Sequence, residues 1–268
     1  MQNNPQPLDN LDFEAFKRKV RSAYGIDLNA YKRQQMERRL RANMTRCGAA
    51  NFQQYYSAMQ KDGALLDEFL DRITINVSEL FRNPEQFETL RTKVLPDLLA
   101  RHRDLSIWSA GCSYGAEPYT LSVLLDELAP DGRHRILATD IDDRMLMRAR
   151  AGAFQDSEMQ NVSKARLVRY FERTADGYAA KDVLKQKIAF RKHNLLEDRF
   201  DSGFDLILCR NVVIYFTDET KAALYERFCK SLQPGGWLFI GGTERIADHA
   251  KLGFENHMPF FYSKPQHS

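Results

Sequence analysis

The chain has 268 residues, of which 43% are hydrophobic and 28% are charged, and its formal net charge is +3. These proportions are typical of a globular protein with room for a catalytic domain and a smaller module, and they exclude the disordered and membrane-embedded classes. The small net charge does not by itself indicate a nucleic-acid partner. The N-terminal residues lack the pattern of a signal peptide, and no run of about 18 apolar residues occurs, so we expect a cytoplasmic protein without direct membrane insertion.

Residues 1–92 predict a small helical domain. Apolar residues recur here at helical spacing, and no convincing strand pattern stands between them. Two such groups are Phe13, Phe16 and Val20, and Phe69, Ile73 and Val77. We therefore place the end of the first domain at residue 92.

One helix of this domain carries a cluster of positive charge between Tyr31 and Arg46. Its basic residues are Lys32, Arg33, Arg38, Arg39, Arg41 and Arg46. Met36, Leu40 and Met44 recur at four-residue spacing and predict an apolar stripe on the opposite side. Such a basic face is either a solvated surface or a docking site for an acidic partner, and the charge pattern leaves both open.

From Leu105 onward the pattern changes to apolar runs that end in Gly or Asp and alternate with helical stretches. The runs are LSIWSAGC, RILATDID, FDLILCRN and WLFIGGTE, and the helical stretches cover residues 117–128, 144–151 and 218–232. Continuous apolar runs are typical of parallel strands that helices cover on both faces. Residues 93–268 therefore predict an α/β domain with a doubly wound sheet.

One segment interrupts this alternation. Residues 165–192 contain a strand-like pattern around Asp176-Gly177, a dipeptide typical of a hairpin tip. We expect a small antiparallel β insertion at this place.

The four cysteines, Cys47, Cys112, Cys209 and Cys229, lie far apart and form no CxxC pair. Neither a disulfide nor a structural zinc site is expected, and no other group of residues predicts a metal site. Cys112 and Cys209 stand at the ends of apolar runs, where a thiol usually behaves as a small buried hydrophobic group.

The first predicted strand runs into a loop with two glycines, Gly111 and Gly115, before the next helix. Such a turn brings the backbone close to a ligand, although a plain tight turn would use the same residues. The spacing GxxxG differs from the GxGxxG of dinucleotide-binding domains, and no phosphate-binding lysine follows as in a P-loop. The loop therefore argues against dinucleotides and nucleoside triphosphates.

Polar residues also follow the later predicted strands. Asp140, at the end of the second strand, can accept hydrogen bonds from both ribose hydroxyls of an adenosine ligand, whereas Asp142 is expected to cap the next helix. Asn194 and Asn211 follow two further strands. Because the carboxyl ends of parallel strands meet at one edge of a sheet, these side chains predict a single ligand-binding crevice.

Five motifs together resemble the CheR-type chemoreceptor methyltransferases. They are INVSELFRN at 75–83, GCSYGAEPY at 111–119, ATDID at 138–142, HNLL at 193–196 and CRNVVIYF at 209–216. The resemblance covers nearly the whole chain. It implies a helical N-terminal domain, a class I methyltransferase domain that uses S-adenosylmethionine, and a small β insertion that in some members binds a peptide from the receptor's C-terminus.

The resemblance and the strand-end pattern together predict the site residues. Those expected to bind S-adenosylmethionine are Asn76, Ser78, Arg82, Gly111, Glu117, Asp140, Asn194, Leu195, Asn211 and Val212. Arg82 and Tyr215 are also expected nearest to the transferred methyl group. Arg38, Arg39 and Arg46 of the basic helix are expected to contact chemoreceptor cytoplasmic helices.

The sequence departs from the family pattern at two positions. Ser78 stands where the family often has Thr, a change that keeps the hydroxyl group. Ala116 stands where the family usually has Glu, so the expected contact of Glu117 with the cofactor's ammonium group depends on the one remaining acid.

The implied reaction is transfer of a methyl group to glutamate side chains of chemoreceptors, which gives methyl esters and S-adenosylhomocysteine. A glutamate carboxylate, with a pKa of about 4.3, is already ionised at neutral pH, so the reaction requires no general base. We expect the enzyme to act mostly by positioning the reacting groups. We also expect it to be a monomer.

Two other functions stay open, a nucleic-acid methyltransferase and a scaffold that binds the cofactor or a receptor without catalysis. The first would carry an Asn/Asp-Pro-Pro-Tyr/Phe motif after the fourth strand, where Arg210-Asn211-Val212 stands instead. Nor does the basic stretch contain interleaved aromatic residues for stacking bases, so we expect no nucleic-acid partner. The scaffold would bind its ligands without transferring a methyl group.

Overall fold

The computed structural model describes residues 7–74, 76 and 78–266. The chain forms two compact units: Met1–Ile75 with Tyr215–Lys221, and Asn76–Ile214 with Ala222–Ser268. This division falls before Asn76, whereas the sequence predicted a boundary at residue 92. No helix within the described residues is long and apolar enough to cross a membrane.

The first unit is helical, as the sequence predicted. Its helices are α1 (Pro7–Tyr24), α2 (Arg33–Arg46), α3 (Phe52–Lys61) and α4 (Gly63–Thr74). Fully buried aromatic rings form the centre, where Phe16 packs against Phe52 at 5.1 Å and edge-on against Phe69 at 6.0 Å between ring centroids. The predicted apolar residue Val77 lies outside the described residues.

A short segment from late in the sequence joins this helical unit. The Lys32 amide donates to the Tyr215 carbonyl at 2.9 Å, and the Thr217 amide donates to the Ala30 carbonyl at 2.8 Å. Tyr31 and Phe216 pair as an isolated antiparallel bridge, with their rings 4.9 Å apart. Residues 215–221 are therefore fixed to the start of α2, which the sequence pattern did not predict.

The second unit begins with a nearly continuous helical stretch. It contains α5 (Pro84–Thr89), a π-helical turn (Leu90–Val94) and α6 (Leu95–Arg101). Phe87 lies edge-on to Phe239 of the sheet at 5.8 Å, and Leu90 and Val94 are fully buried in the same core. This burial in the core of the α/β unit explains why the domain boundary precedes Asn76.

The rest of the unit alternates strands and helices. In chain order the strands are β1 (Ser106–Ala110), β2 (Arg135–Asp140), β3 (Ala153–Phe154), β4 (Phe171–Thr174), β5 (Gly177–Ala180), β6 (Ile188–Lys192), β7 (Phe204–Cys209), β8 (Leu232–Ile240), β9 (Glu255–Met258) and β10 (Phe261–Ser263). The helices are α7 (Ala116–Leu128), α8 (Asp143–Ala151), α9 (Lys164–Tyr170), α10 (Asp182–Lys185) and α11 (Asp218–Ser231). The three helices predicted from the sequence correspond to α7, α8 and α11.

The main sheet has the strand order β6-β2-β1-β7-β8-β10-β9. The first five strands are parallel, whereas β10 runs antiparallel to β8 and β9 antiparallel to β10. The chain winds outward on both sides of the β1–β7 pair, which makes the sheet doubly wound and opens a crevice at the carboxyl ends of these strands.

A three-stranded antiparallel sheet, in the order β3-β5-β4, forms the insertion. It starts earlier than the predicted 165–192, because β3 at Ala153–Phe154 pairs with β5. It also ends earlier, because Ile188–Lys192 pairs in parallel with β2 in the main sheet. The hairpin turn consists of residues 175 and 176, since Thr174 pairs with Gly177, so the predicted tip is displaced by one residue.

The cysteines of the described chain are all free thiols. Cys112 and Cys209 are buried, as expected from their positions at the ends of apolar runs, and burial raises the pKa of both thiols. Neither is therefore a thiolate nucleophile at neutral pH.

The central strand β7 supplies a stability test. Leu206 is fully buried there and pairs with Ile107 of β1, so Leu206→Ala should lower the free energy of unfolding by about 2–5 kcal/mol through lost burial and a residual cavity. Val168→Ala is the matched control, because its side chain is 79% exposed and the change should cost less than about 0.5 kcal/mol. Urea denaturation measures both, and equal effects would contradict this placement of the core.

Candidate cofactor site

Asp140 lies at the end of β2 in the crevice and is held by the backbone. Its carboxylate accepts hydrogen bonds from the amides of Ser113 at 2.7 Å and Asp142 at 3.0 Å. Ser113 adopts a left-handed backbone, with φ of 49°, that turns its amide toward this carboxylate. Burial raises the pKa of Asp140, whereas these amides oppose the rise. The lone pairs that remain on a carboxylate with two donors are available to ligand hydroxyls.

Asn76 joins the same cluster through its side chain. Its Oδ1 accepts from the Ser113 hydroxyl at 3.0 Å, and its Nδ2 donates to Asp142 at 3.5 Å. Asp142 also accepts from the Arg144 amide at 2.9 Å, which makes it the N-cap of α8, as the sequence predicted. The start of the second unit is thereby connected to the ends of β1 and β2.

A second set of contacts fixes the residues that follow Asn76. The Tyr114 hydroxyl donates to the Ser78 carbonyl, and the Leu80 amide donates to the Glu158 carbonyl at 3.0 Å. Arg148 lies over the Tyr114 ring at 4.0 Å and forms an ion pair with Glu158. The segment from Ser78 to Leu80 is therefore braced by α8 and by the turn that follows β3.

The turn after β1 approaches the end of β7 closely. Gly111 has a φ of 81°, and a Cβ at this position would lie 2.5 Å from Cγ2 of Val212. Glycine is therefore required both by the backbone angle and by the close approach. The predicted glycine turn is thus part of the crevice wall.

Glu117, in the first turn of α7, forms a buried ion pair with Arg210. Its carboxylate accepts from the Ser109 hydroxyl at 2.7 Å and lies 3.5 Å from the Arg210 guanidinium. Burial raises the pKa of Glu117, and Arg210 is the strongest influence that opposes this rise. Arg210 was not among the predicted site residues, although an arginine at the end of an apolar run was the signal that could have identified it.

Asn211 adopts a left-handed backbone with φ of 61° at the end of β7. Glu244, beyond the end of β8, accepts from the Gly241 amide at 2.5 Å, and burial raises the pKa of this carboxyl. Three buried polar atoms at this edge have no hydrogen-bond partner within the described residues: Arg210 Nε, Asn211 Oδ1 and Glu244 Oε1. Two of these three atoms are acceptors, so the edge suits a ligand that supplies N–H donors and positive charge.

Asn194 and Leu195 lie in the turn after β6. The Asn194 side chain accepts from the Leu196 amide at 2.9 Å, which shapes the turn, and Leu195 is buried. The His193 amide donates to the Asp140 carbonyl at 2.9 Å and connects this turn to the end of β2. Both predicted residues therefore lie beside Asp140 at the same edge.

The α/β unit brings the predicted cofactor residues to one edge of its sheet. They are Asn76, Ser78, Arg82, Gly111, Glu117, Asp140, Asn194, Leu195, Asn211 and Val212. The other predicted site residues, Tyr215, Arg38, Arg39 and Arg46, belong to the helical unit.

The basic residues predicted to bind the receptor differ in their contacts and in their exposure. Arg39 lies over the Tyr215 ring at 4.9 Å, whereas Arg46 forms an ion pair with Glu68. Arg38 is exposed. The predicted basic face is therefore weaker than the count of arginines suggests, since Arg46 is already partly neutralised.

Two family models match this chain. One, described as "CheR methyltransferase, all-alpha domain", matches residues 11–74, and the other, "CheR methyltransferase, SAM binding domain", matches residues 76–258. The chain belongs to the CheR methyltransferase family. The boundary between the two matches agrees with the division of the structure before Asn76.

Similar proteins carry the same description over most of their length. A chemotaxis protein methyltransferase of Listeria monocytogenes is 41% identical over 94% of this chain and 97% of its own. Chemotaxis protein methyltransferase 1 of Pseudomonas aeruginosa is 35% identical over 91% of this chain and 94% of its own. The relative from Salmonella typhimurium is 33% identical over 84% and 80%, respectively.

The cofactor of this CheR-family methyltransferase is S-adenosylmethionine, as the sequence predicted. The polar groups at the sheet edge fit S-adenosylmethionine. Asp140 is a buried acceptor suited to ribose hydroxyls, and the unpartnered acceptors of Asn211 and Glu244 suit amino groups and a positive charge. Gly111 lets the backbone approach closely beside Val212, at the same edge.

The Gly111 turn yields a test of this fit. Gly111→Ala places a methyl group 2.5 Å from Val212 Cγ2, so the turn must shift and affinity for S-adenosylmethionine should fall by about tenfold or more. Gly203→Ala is the matched control, since Gly203 has a φ of 87° but no atom within 4 Å of an added Cβ. Calorimetric titration measures both affinities, and an equal loss in the two variants would show that close approach at Gly111 is irrelevant.

Proposed function

We propose that this CheR-family enzyme transfers the methyl group of S-adenosylmethionine to glutamate side chains of chemoreceptor cytoplasmic helices. The observation that carries the proposal is the match of both domains, over most of the chain, to proteins described as chemotaxis methyltransferases. The products are glutamate methyl esters and S-adenosylhomocysteine. A cytoplasmic location and a monomeric state, expected from the sequence, stay predictions.

The chemistry needs a positioned carboxylate more than it needs a base. S-adenosylmethionine supplies a methyl group on a sulfonium, which is electrophilic without further activation. A glutamate side chain is ionised at neutral pH, so the protein has to align it for in-line attack and exclude water. The crevice residues support this proposal, because they are carboxylates, amides and a buried guanidinium rather than a nucleophile paired with a base.

Arg82 and Tyr215 are proposed to act on the methyl acceptor. Positive and negative charge both disappear as the methyl group moves, so a cation clamped on the carboxylate would stabilise the ground state more than the transition state. Arg82 therefore orients the reacting groups. Tyr215 supplies a hydrogen bond and one wall of the methyl pocket.

The remaining site residues are proposed to bind different parts of the cofactor. Asp140 binds the ribose hydroxyls, and Glu117 binds the ammonium group. Gly111, Asn194, Leu195, Asn211 and Val212 contact the cofactor from the strand ends, whereas Asn76, Ser78 and Arg82 reach it from the N-terminal side. The buried, backbone-held carboxylate of Asp140 and the unpartnered Oδ1 of Asn211 support these roles.

The basic helix α2 is proposed to bind the acidic receptor helices. Arg38 is exposed and Arg39 is partly exposed beside Tyr215, so these two supply most of the charge. Arg46 contributes only if it leaves Glu68. The β insertion is proposed to bind a C-terminal receptor peptide, which the antiparallel sheet β3-β5-β4 could accept along an edge strand.

The decisive experiment follows labelled methyl groups from S-adenosylmethionine into chemoreceptor cytoplasmic fragments. We expect incorporation that mild alkali releases as methanol and that Glu→Asp substitutions at the acceptor positions abolish. Arg82→Ala should lower turnover by about tenfold or more, with folding intact, because the carboxylate loses its alignment. Label on nucleic acid would support the rival enzyme, and tight cofactor binding without any transfer would support the scaffold.

A second test concerns the basic helix. Arg38→Glu should raise the apparent KM for receptor fragments by about tenfold without changing cofactor affinity, because it reverses an exposed charge. Arg39→Glu should also lower kcat, since it removes the cation over the Tyr215 ring. Arg18→Glu, an exposed reversal on α1, is the control and should leave both constants unchanged. Equal effects of all three variants would contradict a specific receptor face on α2.

A further inference from the structure

The Arg210 side chain is only 3% exposed, although arginine is rarely buried without a partner. Its guanidinium lies against two aromatic rings, 4.8 Å from the centroid of Phe87 and 4.6 Å from that of Phe239. Each arrangement is a cation–π contact, strengthened by the burial of the guanidinium. Arg210 is therefore held against one ring of α5 and one ring of β8, which also contact each other.

One end of this guanidinium binds the segment that carries Arg82. Its NH2 group donates to the Arg82 carbonyl at 3.0 Å, and it lies 3.1 Å from both Asn83 Oδ1 and Gln86 Oε1. This NH2 group has two N–H donors, so two of the three acceptors share one hydrogen, and the planar guanidinium holds the group in a fixed direction.

That loop is strained and needs such support. Phe81 and Asn83, on either side of Arg82, have φ of 56° and 60°, in the left-handed region that residues other than glycine rarely adopt. Such a backbone is unfavourable for residues other than glycine and persists only where surrounding contacts impose it. The hydrogen bonds to Arg82 and Asn83 are contacts of this kind, so Arg210 helps to set the direction of the Arg82 side chain.

The other end of the guanidinium faces Glu117. Four further ionisable groups lie near this pair: Arg82, Glu244, Cys112 and Cys209. Burial, together with the charge of Glu117, raises the pKa of Glu244 and of both thiols, and burial favours the neutral form of Glu117 itself. Arg210 and Arg82 act in the opposite direction. Removal of Arg210 would leave the charged form of Glu117 without its main support.

We propose that Arg210 is a positioning residue with two separable tasks: it holds the strained Arg82 loop, and it keeps Glu117 charged for the cofactor's ammonium group. The inference rests on the proposed roles of Arg82 and Glu117. It assigns to one buried side chain the coupling between the residue that orients the acceptor and the residue that binds the cofactor.

Two substitutions separate the tasks. Arg210→Met removes the charge and every N–H donor, whereas Arg210→Lys keeps a charge on a single nitrogen, which cannot contact the loop acceptors and Glu117 at the same time. For each variant, titration calorimetry gives the affinity for S-adenosylmethionine between pH 6 and pH 9, and hydrogen exchange reports on residues 80–87. Arg135→Met, an exposed arginine at the start of β2, is the matched control.

Arg210→Met should bind S-adenosylmethionine weakly at low pH and recover by up to about tenfold per pH unit as Glu117 loses its proton. Arg210→Lys should keep nearly the affinity and pH dependence of the unaltered protein. It should nevertheless exchange faster at 80–87 and turn over receptor fragments about tenfold more slowly. The control should change none of these quantities.

Other outcomes overturn the inference. Unaltered pH dependence in Arg210→Met contradicts the charge task, and unaltered exchange at 80–87 in Arg210→Lys contradicts the loop task. If Arg210→Met does not fold, the lysine variant and Glu117→Gln still decide the matter. Undiminished affinity of Glu117→Gln for S-adenosylmethionine would contradict the proposed ammonium contact itself. The hydrogen-exchange data would still report on the Arg82 loop.

Discussion

The parallel pairing of β1 with β7 is the constraint on which the rest of the α/β unit depends. Ile107 lies opposite Leu206 and Trp108 opposite Ile207, and the chain winds outward from this pair in both directions. The loops after β1, β2, β6 and β7 therefore open at one edge of the sheet. Residues that are far apart in the sequence thus meet at one edge of the sheet.

Much of this edge could be predicted because strand ends and helix starts leave local signals. A polar residue that follows an apolar run identifies the carboxyl end of a strand, as at Asp140 and Asn211. Asp142 lies immediately before an amphipathic stretch, which is the pattern of a helix cap. The glycine at 111 was recognisable as a turn, although the reason that only glycine fits, the close approach of Val212, depends on the folded structure.

The parts that escaped prediction depend on contacts between distant segments. The two-residue strand β3 is too short to show a period of its own, and residues 215–221 join the helical unit through pairing with Tyr31. Helices α5 and α6 resemble the helices before them in pattern, but their apolar faces pack on the sheet. The role of Arg210 was not predicted, because it depends on three hydrogen-bond acceptors and two aromatic rings that only folding brings together.

The hydrogen bond from the Leu80 amide to the Glu158 carbonyl limits how modular the β insertion is. The turn at 155–158 supports the segment from Ser78 to Leu80, so it is structurally part of the edge that carries the candidate site even though it adjoins the small sheet. A chimaera that exchanges only the β4–β5 hairpin, Phe171–Ala180, would leave this support in place. One that exchanges the chain from Ala153 would also remove Glu158, the partner of Arg148. The hairpin can therefore be exchanged alone, whereas a change at the base of the insertion also alters the support of the segment from Ser78 to Leu80.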